Sequence, residues 1–182
     1  MAVPIEKMDF CFENSLVRII ADRNYPEITL AGLSAGPFEE GNEYEVYYWV
    51  AEKLAEAKIV HFREEDTLDI NKIYLIHYKE GIQSSNQLTG LQENFYPKLR
   101  LFLKSKKDEA TNQPERIQSV REYERAMNMA WEIINYRLTK IITLSSGPTQ
   151  VDQVKKLTTE EKLIYDRLGI ILNSWKTEML KY

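Results

Sequence analysis

Two histidines, one cysteine, an acidic run and a lysine-rich run are the residues of this 182-residue chain whose types and spacing bear on chemistry. His61 and His77 fall on different elements and have no further ligand at the close spacing of a metal site, so structural roles are expected for both. Glu64, Glu65 and Asp66 follow a strand and read as a solvated turn, since a calcium-type site needs further converging carboxylates. Cys11 lies between Phe10 and Phe12, an apolar setting in which a cysteine is expected to be buried and inert. As the single cysteine of the chain it forms neither an intramolecular disulfide nor a Cys-rich zinc site, and an intracellular protein is the simple reading. Gly32, just before LSAGPFEEG, and Gly36 and Gly41 within it lack the Lys-Ser/Thr of a phosphate loop and do not open a helix as a dinucleotide fingerprint does. No catalytic set, metal site or cofactor site can be assembled from these residues, and no enzymatic activity is expected.

Lys98, Arg100, Lys104, Lys106 and Lys107 concentrate positive charge. A solvated face is the expected role, with a phosphate-contacting patch as the alternative, so a nucleic-acid-binding module using Lys98 to Lys107 is the second functional reading. The chain as a whole carries a net charge of -4 and a pI near 5.4, which argues against a dedicated nucleic-acid binder. Hydrophobic content of 43% and charged content of 29% are ordinary globular values. The first residues carry charges where a signal peptide would be apolar, and no apolar run is long enough to span a membrane.

The elements that position these residues divide into two sets. Leu16 to Ala21 and Glu27 to Ala31 read as strands, and LSAGPFEEG as a shaped loop anchored by Phe38. Tyr44 to Ala57 reads as a short strand feeding a helix from about Tyr48, and Lys58 to Arg63 as a strand. Thereafter only helical periodicity is found. Asp69 to Glu80 places Ile70, Ile73, Tyr74 and His77 on one face and stops at Gly81. Gly81 to Glu93 is a polar connector. Asn94 is placed to cap a helix beginning at Phe95, with Tyr96, Leu99 and Leu103 inward. Ser105 to Gln113 reads as a solvated loop, and Pro114 opens the next helix. Thr158 and Glu161 form a capping box ahead of a last helix whose expected buried face is Ile164, Leu168, Ile171, Leu172 and Trp175. Gly169 in that helix suggests a close backbone approach. The fold class is therefore α+β, a small β-rich domain over residues 1–66 followed by an α-helical bundle over 67–182.

The longest helix, Glu115 to Ser145, has an apolar arc roughly 200° wide, about twice what a one-sided surface helix needs. Something must cover both flanks. The line of Val120, Met127, Ile134 and Ile141 is expected to be the chain's own core. The flank of Tyr123, Ala126, Ala130, Ile133 and Arg137, with Lys140 at its edge, is expected to meet a neighbouring subunit. An arginine within such an arc either snorkels or meets a carboxylate, on this chain or across a subunit boundary.

The run ITLAGLSAGPFEEGNEYEVYYWVAEKL resembles the GPF-x-x-G segment and the Trp-hydrophobic-Ala helix of the small β-rich domain of GINS subunits. ENFYPKLRLFL, WEIINYRLTKIITLSS (with Arg137, Leu138, Lys140 and Ile141) and LTTEEKLIYDRLGIILNSWK are similar to the α-domain of the same family. The corresponding signature residues are Phe38, Trp49, Phe95, Tyr96, Trp131 and Trp175. Where the family commonly has Val-Pro-Leu-Trp, this chain has Val46, Tyr47, Tyr48 and Trp49. The order of domains resembles the archaeal subunit that is the counterpart of the eukaryotic second and third partner-of-Sld-five subunits. The resemblance implies a non-catalytic scaffold in DNA replication, without cofactor, in a heterotetramer holding two copies each of this chain and of a companion with reversed domains. It also implies partners in the MCM helicase, a RecJ-like protein and primase, weak or indirect DNA contact, no membrane, and a place at the chromosome, in the nucleoid or, in a eukaryote, the nucleus.

Overall fold

β-Branched and apolar residues in LVRIIA form β1 (Leu16–Ala21), the middle strand of an antiparallel sheet ordered β4-β1-β5. The computed structural model describes residues 5–30, 32–83, 87–112 and 115–181. β4 (Glu43–Tyr47) pairs with β1 in the register Val17 to Val46 and Ile19 to Tyr44, and β5 (Val60–Phe62) pairs on the other edge with Ile19 opposite Phe62. Alternation then sends Ile19 and Ala21 inward, where they are buried at 0% and 2% exposure. The chain turns from β4 directly into α2 (Tyr48–Glu56), as the overlapping period-2 and period-3.6 patterns predict, and α2 buries Val50, Ala51 and Leu54 against the sheet. Residues 4–67 form one compact unit around this core, and residues 68–182 form another.

Within the first unit the expected strand at Glu27 to Ala31 is present, and the segment expected to be an irregular loop supplies the other arm of a short hairpin. β2 (Ile28–Leu30) pairs with β3 (Leu33–Ala35), and Gly32 takes φ +83 at the turn between them. Ala31, the end of the expected second strand, lies outside the described residues. Phe38 is buried at 1% exposure and pairs with Tyr25 through reciprocal backbone hydrogen bonds of 2.8 Å, so it anchors the segment as expected. Gly36 takes φ +97 before Pro37, a left-handed conformation that favours glycine. An N-terminal helix, α1 (Ile5–Glu13), was not legible as periodicity. It buries Phe12, whose ring lies 4.6 Å from that of Tyr48. The neighbouring position on the helix faces outward, which leaves Cys11 exposed rather than buried.

The second unit is helical. Asp69 caps α3 (Ile70–Ile82) by accepting from the Asn71 and Lys72 amides. Ile73 is buried there, whereas Tyr74 is exposed. α4 (Phe95–Asn112) runs through most of the stretch expected to be a solvated loop, because Lys, Glu and Ala are helix formers and Lys106 reaches Glu109 one turn on. Gln113 and Pro114 lie outside the described residues. α5 (Ile117–Ser146) is the long helix. A short α6 (Val151–Val154) leads to α7 (Thr159–Met179), which starts at the expected capping box of Thr158 and Glu161. Ile73, Phe95, Leu99, Met129, Ala130 and Ile133 make one core cluster, and Leu88, Ile141, Leu144 and Leu157 make a second, packed by Ile164, Tyr165 and Leu168 of α7. Two expectations for α7 are corrected. Ile171 and Trp175 are exposed at 62% and 60% instead of buried, and a Cβ on Gly169 would meet no atom within 4 Å, so no close approach explains that glycine.

Candidate interaction surface

The site is built on α5. Its breadth of apolar residues is resolved into two faces, an inner one covered by α3, α4 and α7 and an outer one that is not covered by described residues. Ala126, Ala130, Ile133, Arg137 and Lys140 are all buried, at 0%, 2%, 0%, 0% and 3% exposure. Tyr123 is half-buried. The flank expected to meet a neighbouring subunit is thus the chain's own interior. Of the line expected to be core, Ile141 is buried and Val120 half-buried, but Met127 and Ile134 are exposed. The physical reason is that helical periodicity fixes the width of an apolar arc but not which edge of it the other helices cover.

Arg137 faces a carboxylate, and does so within the chain. Its Nε and Nη2 donate to Oε1 and Oε2 of Glu161 at 2.5 and 2.7 Å, a bidentate pair, and Nη1 donates to Oε1 of Glu80 and to the Thr89 carbonyl at 2.5 and 2.9 Å. Lys140 Nζ donates to the Glu80 carboxylate and to its backbone carbonyl at 2.6 and 2.9 Å. The Tyr96 hydroxyl donates to Glu161 Oε1 at 2.7 Å. Two cations and two anions therefore balance in the interior, and every long helix of the unit contributes a side chain. Burial alone would weaken the charge on Arg137, but the Glu161 and Glu80 carboxylates outweigh it and its pKa lies above the ordinary value. The Tyr96 hydroxyl is pushed up by burial and then by Glu161. Neither Glu80 nor Glu161 was distinguishable in the sequence as a buried acid. The one signal that marked this cluster was Arg137 inside the apolar arc.

The outer face of α5 carries Met127, Trp131, Ile134, Leu138 and Ile142 at 39%, 64%, 37%, 37% and 44% exposure. Steps of four, three, four and four residues put them on one stripe, roughly 100–180° round the helix from Ile133. They present roughly 500 Å² of apolar side chain, within the range of the largest patch of an ordinary monomer. Of the signature residues, Phe38 and Phe95 are fully buried, Trp49 and Tyr96 partly buried against the two cores, and Trp131 and Trp175 exposed.

The remaining candidates stay apart. His61 pairs with Asp22 at 2.6 Å in the first unit, and His77 pairs with Glu132 in the second. Among the described residues no group of His, Cys, Asp and Glu could hold a metal ion, and no helix is long and apolar enough to cross a membrane. In the basic run, Lys106 is bound to Glu109 and Glu122 at 2.9 and 3.5 Å. Arg63, in the acidic turn, bridges Glu43, Glu65 and Asp66.

The architecture defines the class: an α+β chain with a β-rich unit first and a helical unit after it. Residues 4–61 match the family model described as the PSF2 N-terminal domain, a match lying wholly within the β-rich unit. It supports a GINS Psf2-like subunit, and with it a factor of DNA replication. No curated protein matches the chain.

Proposed function

We propose that the chain is a non-catalytic scaffold subunit of a GINS complex, of the archaeal type with the β-rich domain at residues 1–66 and the helical domain at 67–182. In this reading it assembles with a companion of reversed domain order, two copies of each. The assembly joins the MCM helicase to a RecJ-like partner at the replication fork, with primase as a further partner, and works at the chromosome. The observation that carries the reading is the match of residues 4–61 to the PSF2 N-terminal domain. The outer face of α5 supports it, because an uncovered stripe centred on Trp131 and Leu138 suits an obligate subunit contact. The charge of the Lys98 to Lys107 run is in part neutralised by Glu109 and Glu122, which weakens the nucleic-acid alternative.

The test is co-expression with the companion and mass measurement of the purified product. A stable complex with two copies of each chain is expected. Separate elution of the two proteins would remove the proposal, and salt-sensitive binding of DNA by the chain alone would restore the alternative.

A further inference from the structure

β4 is an edge strand, and the hydrogen bonds of its ladder with β1 fix which of its backbone groups face outward. The Ala21 amide donates to the Asn42 carbonyl at 3.0 Å and the Tyr48 amide to the Ser15 carbonyl at 2.9 Å, on the register that sets Ile19 against Tyr44 and Val17 against Val46. Hydrogen-bonded pairs alternate with non-bonded ones in an antiparallel ladder, so Tyr44 and Val46 turn their amides and carbonyls to β1. Glu43 and Glu45 turn theirs to the open side, as Tyr47 does its amide. No strand pairs with that side among the described residues. Three donors and two acceptors therefore stand in line along the edge, at every second residue, about 7 Å apart.

We propose that this edge takes up an extended segment of another protein as an added antiparallel strand, with lysine or arginine at alternate positions. Its charge selects the occupant. Residues directly opposite in a ladder share a face, so the side chains set against Glu43 and Glu45 meet two exposed carboxylates. Glu43 is held by Arg63 at 3.2 Å, whereas Glu45 is in no ion pair among the described residues. Residues 4–67 carry fourteen acidic and six basic side chains, so this unit is at −8 in a chain of −4. A basic segment is drawn to such a field and nucleic acid is repelled by it. A second copy of the chain is excluded as well, since β4 paired with itself would set Glu43 and Glu45 against carboxylates. The alternate residues of the added strand lie on the side of Tyr44 and Val46, which belong to the core of the unit, and there valine or isoleucine fits. The edge and its charge stand independently of the scaffold reading.

Titration of the full chain with a labelled Val-Lys-Val-Lys-Val-Lys-Val peptide tests the pairing, read by fluorescence anisotropy and by amide exchange in NMR spectra. In the free chain the amides of Glu43, Glu45 and Tyr47 are expected to exchange fast and those of Tyr44 and Val46 slowly. Saturating peptide should slow the first three roughly tenfold. The lysine amides of the peptide face β4 in this pairing and the valine amides face away. Methylating the lysine amide nitrogens, which leaves the charge unchanged, should therefore abolish binding, and methylating the valine amide nitrogens should not. Glu45→Lys is expected to weaken binding roughly fivefold. Asp152→Lys, the same change of charge at an exposed site in the helical unit, should have little effect. Equal binding of the two methylated peptides would reduce the contact to charge attraction and overturn the pairing. No binding at millimolar peptide overturns it too, and so do amides of Glu43, Glu45 and Tyr47 that are already protected in the free chain.

Discussion

Arg137 shows how a residue that looks misplaced in a sequence becomes explicable in the fold. A guanidinium at 0% exposure is tolerable because its fork meets Glu161 bidentately while Nη1 takes Glu80 and the Thr89 carbonyl. Removing one partner from such a set leaves uncompensated buried charge. Arg137→Ala is expected to destabilise the helical unit by about 3–5 kcal/mol in denaturant unfolding. Arg137→Lys should recover little, because an ammonium cannot reproduce the fork. Tyr96 gives a pH signature. Its hydroxyl pKa is raised above the ordinary 10.0 by burial and Glu161, so the unfolded chain releases this proton before the folded one does. The corresponding stability is fully present below pH 10 and is lost as pH rises above it. Tyr48, pushed up to about 12 by burial first and then by Glu52 and Glu13, adds to the same trend in the β-rich unit. Urea unfolding should show stability falling above pH 10, and Tyr96→Phe should flatten that fall in the helical unit. At Gly36 the φ of +97 combines with the Phe38 ring, which a Cβ would meet at 3.0 Å. Gly36→Ala is expected to cost at least about 1–2 kcal/mol, measured by thermal unfolding.

Elements differed in how far they could be read from sequence, and the differences have physical causes. β1 and the turn from β4 into α2 were legible because short-range alternation and periodicity overlap at Tyr48. The start of α7 was legible because Thr158 and Glu161 are a local pair whose hydrogen bonds need no tertiary information. α1 and the end of α4 were not legible. Residues 105–112 are polar enough to resemble a loop, and their helicity comes from propensity and the Lys106 ion pairs rather than from an apolar face. The inner and outer faces of α5 were interchanged for a different reason. Nothing local distinguishes Ile133 from Ile134; the positions of α3, α4 and α7 decide which is covered. The interchange decides which substitution tests assembly. Ile133→Asp would place a carboxylate in the core and unfold the helical unit, so it reports on folding and not on assembly. Trp131→Glu is the informative change. It should leave the unfolding midpoint nearly unaltered and weaken binding of the companion by about 2 kcal/mol or more, roughly thirtyfold in Kd, measured by calorimetric titration.

At the scale of the whole molecule, two compact units each have a core of their own. Ile19→Ala is expected to lower the stability of the β-rich unit by about 2–5 kcal/mol and leave the helical unit unchanged, as monitored by hydrogen exchange resolved along the chain. The double use of Glu161 has a consequence of the same kind. This one carboxylate accepts the Thr158 amide as part of the cap of α7 and also holds Arg137. The signal that begins the helix and the contact that docks it are the same chemical group. Fraying of the first turn of α7 moves the carboxylate that holds Arg137, so fraying and detachment merge into one event. The amides of its first turns should exchange with the slow, cooperative kinetics of Ile133 and its neighbours on α5. In a Glu161→Gln chain they should exchange early and independently, while the α5 amides near Ala126 keep their protection.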